Sequence, residues 1–225
     1  MYKTQLALLY IHHEVAYNIG INVKAVKILD TLLIINKLLK EQGGILRTAD
    51  AVKNGISRTT LGNLVKKGKL VRIAQGQYIS PDSIADEMYM LQQRSSSIIF
   101  SHETALFLHD MAERTPFLHS VTIPSNTKLS PVLSEDCKVY YVKPEIHNLG
   151  LCFAMSKMGN KVTTYDVERT VCDILRSRGR IDNQTLAEAI KSYAAHKNKN
   201  WNKLREYAKV FRVTKILRQY LEVLI

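Results

Sequence analysis

Three groups of side chains in this chain have the types and spacing to do chemistry. The first is Arg58, Thr59, Thr60 and Asn63, followed by Lys66, Lys67, Lys69 and Arg72. An arginine reads guanine bidentately and an asparagine reads adenine, while lysines hold phosphates and fix register. The second is His102, Glu103 and His109. The two histidines share a helix face, but the second is at the wrong spacing to complete a His-Glu-x-x-His metal site. The expected role is structural: Ser101 caps the helix, Glu103 suits its positive end, and Ala105, Leu106 and Leu108 pack inward. The third is Asp166, Glu168, Arg169 and Asp173. Paired carboxylates could hold Mg²⁺ for a nuclease. Yet Asp166 is placed to cap a helix, Glu168 falls in its first turn, and Arg169 has acids within reach. No catalytic residue, metal ligand or cofactor is therefore assigned, and no Gly-rich phosphate loop occurs.

The elements that position the first group are legible from residue 28 onward. Ile28, Leu29, Leu32, Leu33, Ile35, Leu38 and Leu39 recur at helical spacing and predict a helix to Gln42, ended by Gly43-Gly44. Thr48 is expected to cap a short helix to Lys53, with Asn54-Gly55 as a turn. Ser57 caps the next helix, which runs to Lys67 and stops at Gly68. Leu70, Ile73, Tyr78 and Ile79 bound a hairpin with Gln75-Gly76 at its turn. Two helices, a tight turn and a hairpin form the plan of a winged helix-turn-helix, which places its second helix in the DNA major groove. Leu61, Leu64 and Val65 should face inward. Thr59, Asn63 and Lys66 should face outward, flanked by Arg58 and Thr60. Gln75 and Gln77 at the hairpin tip are expected to approach the minor groove or the backbone.

Charge agrees with a polyanionic partner. The net charge is +12, and residues 1–81 carry 12 Lys/Arg against 4 Asp/Glu. Residues 82–150 carry 5 against 9, and residues 151–225 carry 15 against 7. Two basic ends flank an acidic middle, a pattern that favours nucleic acid over a membrane surface. The apolar runs are too short to span a bilayer. The cysteines Cys137, Cys152 and Cys172 form no Cys-x-x-Cys, which fits a reducing, cytoplasmic setting.

Residues 82–110 read as helical. Strands are expected at Val121–Ile123, Lys138–Val142, Leu151–Met155 and Lys161–Thr164. A helix is expected from Asp166 to Arg178, and two more between Asn183 and Ile225, separated by His196–Asn200. The fold class is α+β: a winged helix-turn-helix at 28–81 and a mixed α+β domain at 82–225, preceded by an extension at 1–27 that includes His12, His13 and Glu14. The basic set of the second half includes Arg169, Arg176, Arg178, Lys203 and Arg205, which are candidates for contact with a partner.

Three stretches together resemble the AbiEi family, antitoxins of type IV toxin–antitoxin systems of abortive phage infection. They are NGISRTTLGNLVKKGKLVRIAQGQYI at 54–79, SHETALFLHDMAERTPFLHSVTIPSN at 101–126 and KVTTYDVERTVCDILR at 161–176, in that order. The resemblance covers residues 28 to 215. It implies that the winged domain represses its own operon by binding double-stranded DNA at inverted repeats. It also implies that residues 82–225 form an antitoxin domain countering a nucleotidyltransferase-like toxin, AbiEii, without a stable complex. Many relatives carry an Arg near the wing turn where this chain has Gln75, which shifts phosphate contact towards Lys66, Lys67, Lys69 and Arg72. Two alternatives stay open on the residues alone: a plain winged-helix transcription factor, and a nuclease-like enzyme delivered by its DNA-binding domain.

Overall fold

Gly43, Gly55 and Gly68 take φ values of +61°, +81° and +64° and close successive helices by the same device. Past each glycine, an N–H donates back to a carbonyl in the last helical turn: Gly44 to Leu39 at 2.8 Å, Ile56 to Ala51 at 2.9 Å, Lys69 to Leu64 at 2.9 Å. Only glycine enters this left-handed position without cost, so the glycine spacing sets the helix lengths. The helices are α1 (Val23–Glu41), α2 (Thr48–Lys53) and α3 (Arg58–Lys66). The computed structural model describes residues 23–224. His12, His13 and Glu14 of the expected extension lie outside the described residues, whereas 23–27 belong to α1.

The chain divides into two compact units, Met1–Ala85 and Asp86–Ile225. In the first, β1 (Leu46–Arg47), β2 (Val71–Ala74) and β3 (Gln77–Ile79) form an antiparallel sheet in the order β1-β3-β2. Ile35, Leu46, Ala51, Leu61 and Leu70 are buried together between the helices and this sheet. Fully burying a Leu or Ile contributes about 1.5–3 kcal/mol, so this small cluster holds the helices against each other. Thr48 does not cap α2. The helix begins at Thr48 itself after Arg47, whose Nε donates to Asp50 at 2.6 Å. The Thr48 N–H instead donates to the Gly76 carbonyl at 2.8 Å, tying the wing turn to the start of α2.

The second unit carries a five-stranded mixed sheet in the order β6-β5-β4-β8-β7. Its strands are β4 (Ile99–Phe100), β5 (His119–Pro124), β6 (Cys137–Val142), β7 (Leu151–Met155) and β8 (Lys161–Tyr165). Around them lie α4 (Glu87–Arg94), α5 (His102–Leu108), α6 (Pro131–Glu135), α7 (Val167–Arg176), α8 (Asn183–Ala195), α9 (Trp201–Val210) and α10 (Thr214–Leu224). The expected helical stretch 82–110 is thus interrupted by β4, which pairs antiparallel with β5 and parallel with β8. The final stretch holds three helices rather than two, because Arg212 at φ +58° turns the chain between α9 and α10. One buried cluster joins Phe100, Val121 and Ile123 to Met88 and Leu91 of α4 and Leu133 of α6. Another surrounds α7, with Leu186, Ile190, Leu204 and Phe211 against Val171, Ile174 and Leu175.

Candidate nucleic-acid interface

α3 has one apolar side and one open side. Leu61 and Leu64 are buried, and Val65 is half-buried beside them. Ser57 caps the helix as expected: its Oγ accepts from the Thr60 N–H at 3.1 Å and lies 2.9 Å from the Thr60 hydroxyl. Thr60 is thereby engaged by the cap and only partly exposed. Arg58, Thr59, Asn63 and Lys66 are exposed on the helix, and Lys67 and Lys69 follow at its C-terminal turn. The helix RTTLGNLVK contains no carboxylate. Donors therefore dominate the open side, with nothing on the helix itself to neutralise them. Gly62 also lies on this side, between the residues that the sequence reading selected. A glycine inside a helical period is the signal that marks it in the sequence.

The wing behaves less uniformly. Arg72 and Gln75 are exposed, and the register between β2 and β3 shifts between Arg72 and Ala74. Arg72 Nε donates to the Ala74 carbonyl at 3.4 Å, holding the side chain along the wing. Gln77, expected at the tip, is only 3% exposed. It opens β3, the central strand, and lies between Arg47 of β1 and Ala74 of β2, so it does not reach out from the wing.

In the second unit, Arg169 is completely buried, which removes it from the set of partner-contact residues. Its Nε donates to Asp173 at 2.9 Å, and Nη1 donates to the carbonyls of Ile146 at 3.0 Å and Leu149 at 2.7 Å. The guanidinium lies 4.0 Å from the Tyr165 ring centre and 4.2 Å from that of Phe211. Burial raises the Asp173 carboxyl to about 6 against the opposing pull of Arg169. Asp166 caps α7 through the Arg169 N–H at 2.8 Å and also takes Lys203 at 2.9 Å. Glu168 accepts from the Asn200 N–H at 2.9 Å and the Tyr193 hydroxyl at 3.2 Å. Asp166 and Glu168 thus tie α7 to α8 and α9, while Asp173 is committed to Arg169 within α7. Arg176, Arg178 and Arg205 remain exposed, while Lys203 is partly covered by its acidic partners.

His102, Glu103 and His109 do not converge. His102 stacks on Tyr140 at 3.5 Å and sits 2.9 Å from both Ser101 Oγ and Ser177 Oγ. Burial, with Arg169 and Lys138 nearby, holds its pKa well below the ordinary value, so the ring is neutral. Ser101 makes no side-chain cap; its Oγ accepts from Thr122 at 2.8 Å. Glu103 pairs with Lys138 at 2.6 Å and accepts from Ser120, and His109 meets the Tyr165 carbonyl at 2.6 Å. Among the described residues, no group of three or more His, Cys, Asp or Glu is placed to hold a metal ion.

A short helix pair, a capped helix with a donor-rich open side, and a wing define the first unit as a winged helix-turn-helix. Residues 34–81 match a family model described as a transcriptional regulator, AbiEi antitoxin. The match is confined to this segment and agrees with the resemblance read from the sequence. Among solved structures, the chain is similar to the Rv2827c protein from Mycobacterium tuberculosis. The two share 12% identity at a TM-score of 0.57, over 78% of this chain and 70% of the other, a likeness of fold. No curated protein matches the chain. Among the described residues, no helix is long and apolar enough to cross a membrane.

Proposed function

We propose that this protein is the antitoxin of a type IV toxin–antitoxin system of phage defence and also the repressor of its own operon. The first unit binds inverted repeats in the promoter: Arg58, Thr59 and Asn63 meet base edges, while Lys66, Lys67, Lys69 and Arg72 hold phosphates. The second unit counters a nucleotidyltransferase-like toxin without forming a stable complex and without catalysis of its own. The observation that carries this reading is the open, carboxylate-free side of α3 within the segment that matches the AbiEi family model.

The test is co-expression of the full-length chain with the product of the neighbouring gene, alongside a promoter reporter. The expected result is rescue of growth together with repression. The Arg58→Ala/Lys66→Ala double variant should lose repression and keep rescue. Failure of the wild type to rescue growth overturns the antitoxin role. Failure to repress the reporter overturns the operator role.

A further inference from the structure

Gly62 lies inside α3 on its exposed side, and a β-carbon built on it meets nothing within 4 Å. Its φ is not positive, unlike those of Gly55 and Gly68 at the neighbouring helix ends. Among the described residues, neither a turn nor a close neighbour asks for a glycine here. An exposed helix interior is where glycine costs most against alanine, because the flexible backbone must be ordered with no compensating contact. Nothing among the described residues gains from the missing side chain, which points to a bound partner.

The neighbours of Gly62 indicate where. Arg58 and Thr59 lie one turn before it, Asn63 beside it and Lys66 one turn after. Gly62 is a notch in the middle of the surface offered to DNA. We infer that Gly62 sets the depth of α3 in the major groove: its bare backbone approaches the base-pair edges, and this brings Thr59 and Asn63 within hydrogen-bond distance of them. The inference rests on the DNA-binding reading above. A methyl carbon keeps its neighbours about 3.5–4.0 Å away. Hydrogen bonds to base edges weaken steadily once the donor–acceptor distance exceeds about 3.2 Å. The short Thr59 and Asn63 side chains cannot follow a helix that is lifted. The long Lys66, Lys67 and Lys69 stems can, so phosphate contacts survive.

The test compares the full-length wild type with Gly62→Ala. Fluorescence anisotropy is measured on a duplex from the region upstream of the gene and on a shuffled duplex of equal length, each at two salt concentrations. Thermal melting runs in parallel. Gly62→Ala should raise the melting temperature by about 4 °C, lower affinity for the upstream duplex at least tenfold, and leave the shuffled duplex and the salt dependence unchanged. Equal affinity of the two proteins for the upstream duplex overturns the inference and leaves DNA binding standing, as does an equal loss on both duplexes. A wild type with no preference for the upstream duplex overturns the DNA-binding reading, and the inference falls with it.

Discussion

The open side of α3 and the surroundings of Arg169 use similar residue types and reach opposite ends. On α3, Arg58, Asn63 and Lys66 stand in solvent beside no acid of their own helix. In the second unit, Arg169 has an acid, two carbonyls and two aromatic rings around it, and no exposure at all. A buried polar cluster whose members bond mainly to one another holds a fold together, although Nη2 of Arg169 has no hydrogen-bond partner among the described residues. A polar cluster that faces solvent in one sign, on a rigid helix, is a surface waiting for the opposite charge.

The strongest way to sharpen this contrast is Arg169→Ala. It leaves Asp173 buried without its cation and strands the carbonyls of Ile146 and Leu149. Removing one partner of a buried pair costs about 3–5 kcal/mol. Urea denaturation should therefore show the second unit destabilised by that amount or unfolded outright. An effect below about 1 kcal/mol would mean that the pair is not what closes this core.

The opposite side of the contrast is tested by Asn63→Ala and Lys69→Ala. Stability should move by less than about 0.5 kcal/mol in either variant, as for other exposed positions. Asn63→Ala should weaken binding to promoter DNA by about 1–3 kcal/mol and relax preference at one base pair. Lys69→Ala should weaken binding to all duplexes alike and lower the salt slope by about 1. Titrations across a salt series separate the two patterns. Identical behaviour of the variants would erase the division between reading and holding residues.

The smallest expected effect concerns a carboxylate of a third kind, exposed yet fully engaged. Asp182 caps α8, accepting from the Thr185 N–H at 2.8 Å and the Thr185 hydroxyl at 2.7 Å. These bonds hold its pKa below the ordinary 3.8. A carboxyl whose folded pKa is depressed contributes stability above its unfolded pKa and loses it as pH falls through the folded value. Asp182→Ala should cost about 1 kcal/mol at pH 7. The gap to wild type should narrow as pH falls below the ordinary 3.8, as read from denaturation curves across a pH series.

What could be read in advance was local. Ser57, Gly55 and Gly68 announce the limits of α3 because capping acts within a few residues. The inward stripe Leu61, Leu64 and Val65 follows from helical period alone. The burial of Gln77 comes from β1 and β2 on either side of it, and the two-residue β1 at Leu46–Arg47 is too short to show in the sequence. β4 escaped notice because Ile99 and Phe100 are too few to show a period; their identity as a strand comes from Val121, Thr122 and Thr164. The fate of Arg169 was equally hidden. Arginine is among the residues least often buried, and the groups that accept it at Ile146, Leu149 and Phe211 lie far along the chain. The position of Thr48 shows the same limit on a smaller scale, since its partner Gly76 sits across the wing.

The placement of the two cores along the chain has a consequence for synthesis. The last residue of the first unit's buried cluster is Tyr78, whereas the cluster around α7 draws on Phe211, Val213 and Leu217, more than 130 residues later. Domains fold as they leave the ribosome, N-terminal first. The winged module is complete in outline long before the second core has its final helices, and a chain halted after residue 200 carries the first without the second.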